Sequence, residues 1–532
     1  MNESTSSFRM PFPRPLEVVQ LRSKLQHIPV LRLLEPRDLL SVPAVGLIIL
    51  ISYLTWLSSA STPVVKGPVA GYRSWLEPTA FLRLRFVFNA VKIMNDGYYK
   101  FKDTCYVVRR MDTDVTVLAL KYLDELRKSG LNELNATHAN IHNVLGGYTN
   151  LDEMKSNDQF IKSISHCLNP NINEFMRYAQ DELSYGLKVD MPDFKGYEWR
   201  SVDIHTLLRR IISRVASRLM LGLPHCRDEA MVSITESHTV AIFAVTLVLR
   251  RFPPMLHPLI SLLVPHRWAI WRNVRGAKKI IRPILEKHLA EEAAGITGNK
   301  SAEPESLLKW MMEHANDYQK SLHSLVSTQL AVTVAAVYTS SQVTSHLLVF
   351  LAQNPHYIDE LREEVSSSIN DTDNIDPSKL HKMEACLSET LRINPPLTNA
   401  PQRRAMQNVT LKDGVVIPKG ALVAFPCTPS SMDPLIYPDP HRFMPFRKEN
   451  IATPVTTPTR NQLAFGWGIQ ACPGRFLAAK EIKVVAARLL MEYDIKIAPE
   501  SDSMRRYYDI EDLRVLNPRM RLLMRRRALP SP

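Results

Sequence analysis

Late in the chain runs Phe465-Gly-Trp-Gly-Ile-Gln-Ala-Cys472-Pro-Gly474, a cysteine in a glycine-rich turn just before a helix-like stretch that reaches about Tyr493. Gly466, Gly468 and Gly474 let the backbone approach a flat ligand closely. The helix after Gly474 points its first N–H groups back at the sulfur, and those dipoles stabilise a thiolate. Upstream, Glu389-Thr-Leu-Arg392 puts a carboxylate and a guanidinium on one helix face by their i,i+3 spacing. Pro440-His-Arg442-Phe443 places a further arginine in the proline-rich stretch that follows. Ala335-Ala-Val-Tyr-Thr339-Ser340 places a hydroxyl beside small residues midway along a long helix.

A thiolate is the axial ligand that pushes electron density from haem iron towards O–O cleavage. The segment around Cys472 resembles the haem-binding loop of the cytochrome P450 family, F-x-x-G-x-[R/H]-x-C-x-G. Phe465, Gly468, Cys472 and Gly474 fit it, and Gln470 stands where a cationic residue is usual. Glu389/Arg392 resembles the E-x-x-R motif, Arg442 the meander arginine that would join them in a buried network, which holds only if complete, and Ala335–Ser340 the oxygen-activation segment, with Tyr338 replacing its acid. The resemblance runs from about Arg73 to Met524. It implies haem b with Cys472 as the iron ligand, and electrons from NADPH through NADPH-cytochrome P450 reductase. One atom of dioxygen would enter a lipophilic small molecule, with Thr339 in the proton relay. It also implies that Arg403 binds a haem propionate, with Arg404 as the competing choice. Desaturation, rearrangement or C–C cleavage is the alternative outcome at Tyr338, and an impaired haem-binding membrane protein is a second. The variant motifs look most like fungal members of secondary metabolism that oxidise terpenoid or meroterpenoid scaffolds.

The elements that must position these groups are mainly helices. Ser324–Ala352 lacks Gly and Pro and has helical apolar spacing, with Pro355 at its end. Asp376–Ile393 predicts a second helix, stopped by Pro395-Pro396. Twelve of the 37 prolines fall between Pro395 and Pro458, which predicts short strands and an extended meander there. Glu291–Ser306 reads as a surface loop. The expected fold is therefore mainly α with a small β region, the cytochrome P450 fold, preceded by one transmembrane helix.

That anchor is read from Leu39–Leu57, which is uncharged and about long enough to cross a bilayer, with Tyr53 and Trp56 near its end. The expected organisation is a leader at 1–38, an anchor at 39–60, a proline-marked hinge at 61–72, the catalytic domain at 73–526 and a tail at 527–532. The anchor predicts a single-pass membrane protein, and the resemblance places it at the endoplasmic reticulum facing the cytosol. The net charge of +13 is spread out, apart from Arg519–Arg527, and no nucleic-acid-binding motif accompanies it. A cationic face for an acidic protein or membrane lipid accounts for it better, with Arg475, Lys480 and Lys483 as candidates for the reductase. Cys105, Cys167, Cys226, Cys386 and Cys427 lack C-x-x-C spacing and read as buried small hydrophobes. Pocket walls are expected from Leu145–Leu151, Val240–Pro265, Leu397–Gln402 and Tyr508–Asp512.

Overall fold

The computed structural model describes residues 36–59, 62–194, 196–295, 306–371 and 373–527. Most of the leader, the segment 296–305 of the expected loop and the end of the tail lie outside them. The chain divides into two units, Met1–Ser59 and Ala60–Pro532.

In the first unit, helix α1 (Pro36–Ser59) contains the whole uncharged segment. Leu47, Ile49 and Ile51 on it are more than half exposed.

The second unit is built mainly from helices. Those that bear on the site are α2 (Thr79–Lys100), α3 (Ala136–Asn143), α4 (Ile172–Asp190), α5 (Ile204–Leu221), α6 (Glu229–Leu249), α7 (Pro265–Ala293), α8 (Leu322–Gln353), α9 (His381–Ile393) and α10 (Arg475–Glu492). The strands are β1 (Tyr106–Arg109), β2 (Asp114–Val117), β3 (Leu134–Asn135), β4 (Arg200–Val202), β5 (Gln402–Ala405), β6 (Val409–Thr410), β7 (Val416–Ile417), β8 (Leu422–Ala424), β9 (Tyr493–Ile497), β10 (Tyr507–Ile510), β11 (Leu513–Leu516) and β12 (Leu522–Arg526). One five-stranded sheet has the order β1-β2-β8-β5-β3, a three-stranded sheet the order β4-β12-β9, and β6-β7 and β10-β11 are hairpins.

Helix α8 is the axis of the body. Its 32 residues span about 48 Å at 1.5 Å per residue. Ser321 caps its start by accepting the N–H of Ser324 at 3.3 Å. It packs against α5, α9 and α10 in the largest core cluster. Both α6 and α8 are long and apolar enough to span a bilayer, but over half of each apolar window is buried in the body, so they are core helices. The second predicted helix starts later than expected. Pro377–Lys379 form a 3-10 turn capped by Asp376, Leu380 leaves helical geometry, and α9 begins at His381. The Pro395–Pro458 stretch is, as read, four short strands and two five-residue helices within an extended chain.

Candidate functional site

The loop before α10 is closed by its own backbone. Cys472 N–H donates to the Phe465 carbonyl at 2.8 Å and Ala471 N–H to that of Gly468 at 3.1 Å. Gly466 and Gly468 both take positive φ, +86° and +67°. Gly468 has a further constraint: a Cβ there would lie 2.8 Å from Cα of Arg127. That glycine answers the close approach of a neighbouring chain segment rather than of a ligand. Gly474 differs, since nothing lies within 4 Å of its would-be Cβ.

Cys472 stands apart from the other five cysteines, which are buried; it is exposed. Yet it lies deep, because burial is the largest influence on its thiol and pushes the pKa up. The N–H groups of Gly474 and Arg475 at the start of α10, and the Arg475 charge, work the other way. Among the described residues no group of three or more His, Cys, Asp or Glu side chains is placed to hold a metal ion. A metal on this sulfur would bring its other ligands with it, as the iron of haem does.

Arg403 supports the same fit. It is buried, donating to the carbonyls of Gln402 at 2.8 Å and Trp467 at 3.0 Å, and no carboxylate pairs with it among the described residues. Burial lowers its pKa to about 10. A buried cation beside the cysteine loop is suited to an incoming carboxylate such as a propionate. Arg404, its neighbour on β5, is half-buried. Gln470 makes no such provision. Its amide accepts the N–H of Ala136 at 2.8 Å and donates to the carbonyls of Leu134 at 2.7 Å and Ser129 at 3.2 Å. In place of a cation at the usual position there is a stitch that fixes the loop to the start of α3.

The charge cluster at the end of α9 differs from the expectation in one residue. Glu389 and Arg392 pair through two bonds of 2.8 Å, but the second arginine is Arg447, at 3.1 Å, and not Arg442. Arg442 is exposed. The reason is the two-residue period of extended chain: Phe443, Pro445 and Arg447 face inward, while Arg442 and Phe446 face out. Phe443, stacked on Phe350 at 4.8 Å, marks the inward face and identifies Arg447. Met444 N–H and the Asn450 amide also donate to Glu389, a contribution that no sequence motif signalled. Burial would raise the Glu389 pKa; the bonds from Arg392 and its neighbours outweigh it and hold the carboxylate low. The arginines are completed by carbonyls, Arg392 on Ser431 and Pro440, Arg447 on Pro438 and Asp439.

On α8, Thr339 Oγ1 donates to the Ala335 carbonyl at 2.8 Å. Thr333, Ser341, Thr344 and Ser345 make the same i−4 bond, so this bond alone is ordinary helix behaviour. Accessibility separates them: those four are buried, whereas Thr339 and Ala336 are half-buried and Ala335 is exposed between buried Val334 and Val337. Tyr338 packs its ring on Phe243 of α6, 4.1 Å between centroids. Burial and the Asp512 charge push its pKa upward, so it remains a neutral phenol where the family pattern has an acid.

The four expected pocket segments do converge. Leu151, Ile242, Val245 and Val334 share an apolar cluster that Leu145, Tyr148 and Phe243 border. Thr398 N–H donates to the Asp512 carbonyl at 2.9 Å. A buried ion network ties their ends: Arg250, just past α6, meets Glu511 at 2.9 Å and Asp112 at 3.3 Å, and Arg110 meets Asp112 at 3.0 Å. The expected cationic docking face is not borne out at Lys483. That residue is buried, with its ammonium on Glu384 at 2.8 Å and the Pro377 carbonyl at 2.7 Å. Lys480 donates to Asn173 and Arg475 to the Thr456 and Cys472 carbonyls, so both are also tied to the body.

Glu481 of α10 was not singled out by any motif. It is buried, hydrogen-bonded to Ser340, and burial pushes its pKa up from 4.5 to about 7. Between those values the folded state keeps a proton that the unfolded chain has lost, so stability falls as pH rises through this window. The fall amounts to about 3 kcal/mol at 1.36 kcal/mol per pH unit. Glu481→Gln, which cannot ionise, is expected to remove it. Unfolding midpoints from pH 4.5 to 8 check this, and parallel profiles for the two proteins would refute it.

Comparison with known proteins places this geometry. The family model "Cytochrome P450" matches residues 159–523. "Cytochrome P450 monooxygenase AN1598" of Emericella nidulans is 33% identical, over 90% of this chain and 91% of its own length. "Ent-kaurene oxidase P450-4" of Gibberella fujikuroi is 32% identical over 91% and 98%, respectively. "Cytochrome P450 monooxygenase olcJ" of Penicillium canescens is 30% identical over 91% and 93%. The structure of "Retinoic acid bound cyanobacterial CYP120A1" shares the fold, with a TM-score of 0.63 at 18% identity, covering 88% of this chain and 100% of that one.

Proposed function

The chain belongs to the cytochrome P450 family and is a P450 monooxygenase, and from that premise we propose that it is a membrane-anchored haem-thiolate enzyme that oxidises a lipophilic, terpenoid-like intermediate of fungal secondary metabolism. The observation that carries the haem-thiolate reading is the sulfur of Cys472, accessible yet deep, with two helix N–H groups on it. The ent-kaurene oxidase at 32% identity supports the substrate class, as does the apolar wall of Leu151, Ile242, Val245 and Val334.

Bound haem would supply the reductive activation of dioxygen, with electrons from NADPH delivered by its membrane-bound reductase. The protein's own parts are separable. Cys472 would hold the iron, and the N–H groups of Gly474 and Arg475 favour its anionic form. Arg403 pairs with a propionate. Thr339 turns its hydroxyl from the Ala335 carbonyl to pass a proton. Glu389, Arg392 and Arg447 keep the loop in place from behind. The uncharged stretch of α1 from Leu39 to Leu57 supports a single membrane span, with the catalytic unit at the cytosolic face of the endoplasmic reticulum. Met255, Leu259, Leu262 and Leu263, each more than half exposed between α6 and α7, support a further contact with the membrane surface.

The test is turnover in bilayers with reductase and NADPH under ¹⁸O-labelled dioxygen, supplied with polycyclic terpene hydrocarbons. The expected product carries one labelled oxygen. Thr339→Ala is expected to consume NADPH while forming on the order of a hundredfold less product per electron pair, the lower end of the loss of a proton-transfer group. Unlabelled product, or unchanged coupling in the variant, would count against the reading. Deleting residues 1–60 is expected to abolish alkali-resistant membrane attachment; retention would remove the anchor.

A further inference from the structure

Helix α7 carries charge in an unusual arrangement. From Pro265 to Leu285 it holds Arg267, Arg272, Arg275, Lys278, Lys279 and Arg282 and no Asp or Glu. In the sequence these cations look dispersed; the helix sorts them. Ile270, Asn273, Ala277, Ile281 and Leu285 form its buried stripe. Trp268, Trp271, Arg272, Arg275, Lys279 and Arg282 are all exposed on the opposite side. Their spacing of three or four residues makes one continuous face, about 21 Å long. No carboxylate pairs with Arg272, Arg275 or Lys279 among the described residues, and Arg282 reaches Glu286 only at 4.0 Å.

The two tryptophans are held in place. Trp268 donates its indole N–H to the Leu262 carbonyl at 2.9 Å, Trp271 lies edge-on to it at 6.4 Å, and Arg275 sits over the Trp271 ring at 3.6 Å. Immediately before this face come the exposed side chains of Met255, Leu259, Leu262 and Leu263. The order along the surface is therefore apolar side chains, then tryptophans, then cations. It matches the depth profile of a lipid monolayer: acyl chains, the aromatic belt, and headgroup phosphates.

We propose that the Trp268–Arg282 face of α7 binds anionic phospholipid headgroups, so that the catalytic unit is held against negatively charged bilayer by this face, separately from α1. The inference rests on the membrane reading above and deepens it by naming the lipid. Neutral lipid would satisfy the apolar side chains and tryptophans but leave the surplus cations without partners. An anionic surface attracts each Lys or Arg near it by about 1 kcal/mol, so three or four unpaired cations give a strong preference. That attraction is screened by salt.

The experiment uses the full-length protein in bilayers of phosphatidylcholine with or without phosphatidylserine. The acyl chains are brominated, so that they quench tryptophan on contact. The contribution of Trp268 and Trp271 is read by difference against Trp268→Phe/Trp271→Phe. Quenching of this pair is expected to rise about twofold or more with phosphatidylserine and to return to the neutral level near 1 M salt, where the screening length is about 3 Å. Arg272→Gln/Arg275→Gln/Lys279→Gln/Arg282→Gln is expected to lose the rise while keeping the quenching seen in phosphatidylcholine. Equal quenching in both lipids, or a rise that survives in the fourfold variant, overturns the proposal and leaves the membrane contact standing. No quenching in either lipid overturns both. A fourfold variant with unaltered lipid response but slowed electron delivery from the reductase would assign the face to an acidic protein, and the proposal would fall.

Discussion

Replacing Cys472 by serine is expected to abolish the thiolate-type carbonyl difference band of the reduced protein and to leave little haem bound. A serine hydroxyl stays protonated where a cysteine can ionise. It therefore gains nothing from the N–H groups of Gly474 and Arg475 that face the sulfur. The other five cysteines are buried and separate from this loop, so none of them supplies a second thiolate there. The change from sulfur to oxygen removes no packing volume of consequence, so the loop, closed by the bond of Cys472 N–H to the Phe465 carbonyl, stays folded. Carbon monoxide difference spectra and haem content measure the outcome. A normal band in Cys472→Ser would disprove the ligand assignment.

The second large effect separates two arginines that lie five residues apart. Arg447→Ala is expected to destabilise the protein by roughly 3–5 kcal/mol, as removal of one partner from a buried ion network does. Glu389 would lose one of its guanidinium partners, and the carbonyls of Pro438 and Asp439 would lose their donors. Because the network fixes α9 to the extended chain that leads towards the cysteine loop, haem retention should fall with it. Arg442→Ala is expected to change stability by no more than about 0.5 kcal/mol, the range of exposed sites without such partners. Chemical unfolding and haem content in the two variants check this. Equal losses, or a larger loss at Arg442, would contradict the observed network.

The order of the motifs was legible because each depends on short-range geometry. An i,i+3 pair lies on one helix face whatever surrounds it, and a glycine-rich turn before a helix aims N–H groups at its cysteine in any fold. The long helix α8 was legible for the same reason, since its spacing and its lack of Gly and Pro are local. Arg442 was misplaced because two arginines fit the loose pattern, and only the alternation starting from buried Phe443 selects Arg447. Gln470 could not be read either: its three partners belong to Ser129, Leu134 and Ala136, more than 300 residues away in sequence. The buried state of Lys483 and the raised pKa of Glu481 likewise depend on what packs over α10.

By itself, then, the sequence determined the cysteine loop and the candidate ligand in it, the Glu389–Arg392 pair, the helical class and the uncharged segment that supports an anchor. These follow from residue type and periods of two to four residues, which the backbone enforces locally. The tertiary structure alone decided which arginine completes the cluster, that Arg403 is buried beside the cysteine loop, and that Thr339 is accessible while its neighbouring hydroxyls are not. It also decided that the scattered cations of α7 form one face. Burial and charge pairing depend on which distant segments meet, and no local period encodes that meeting.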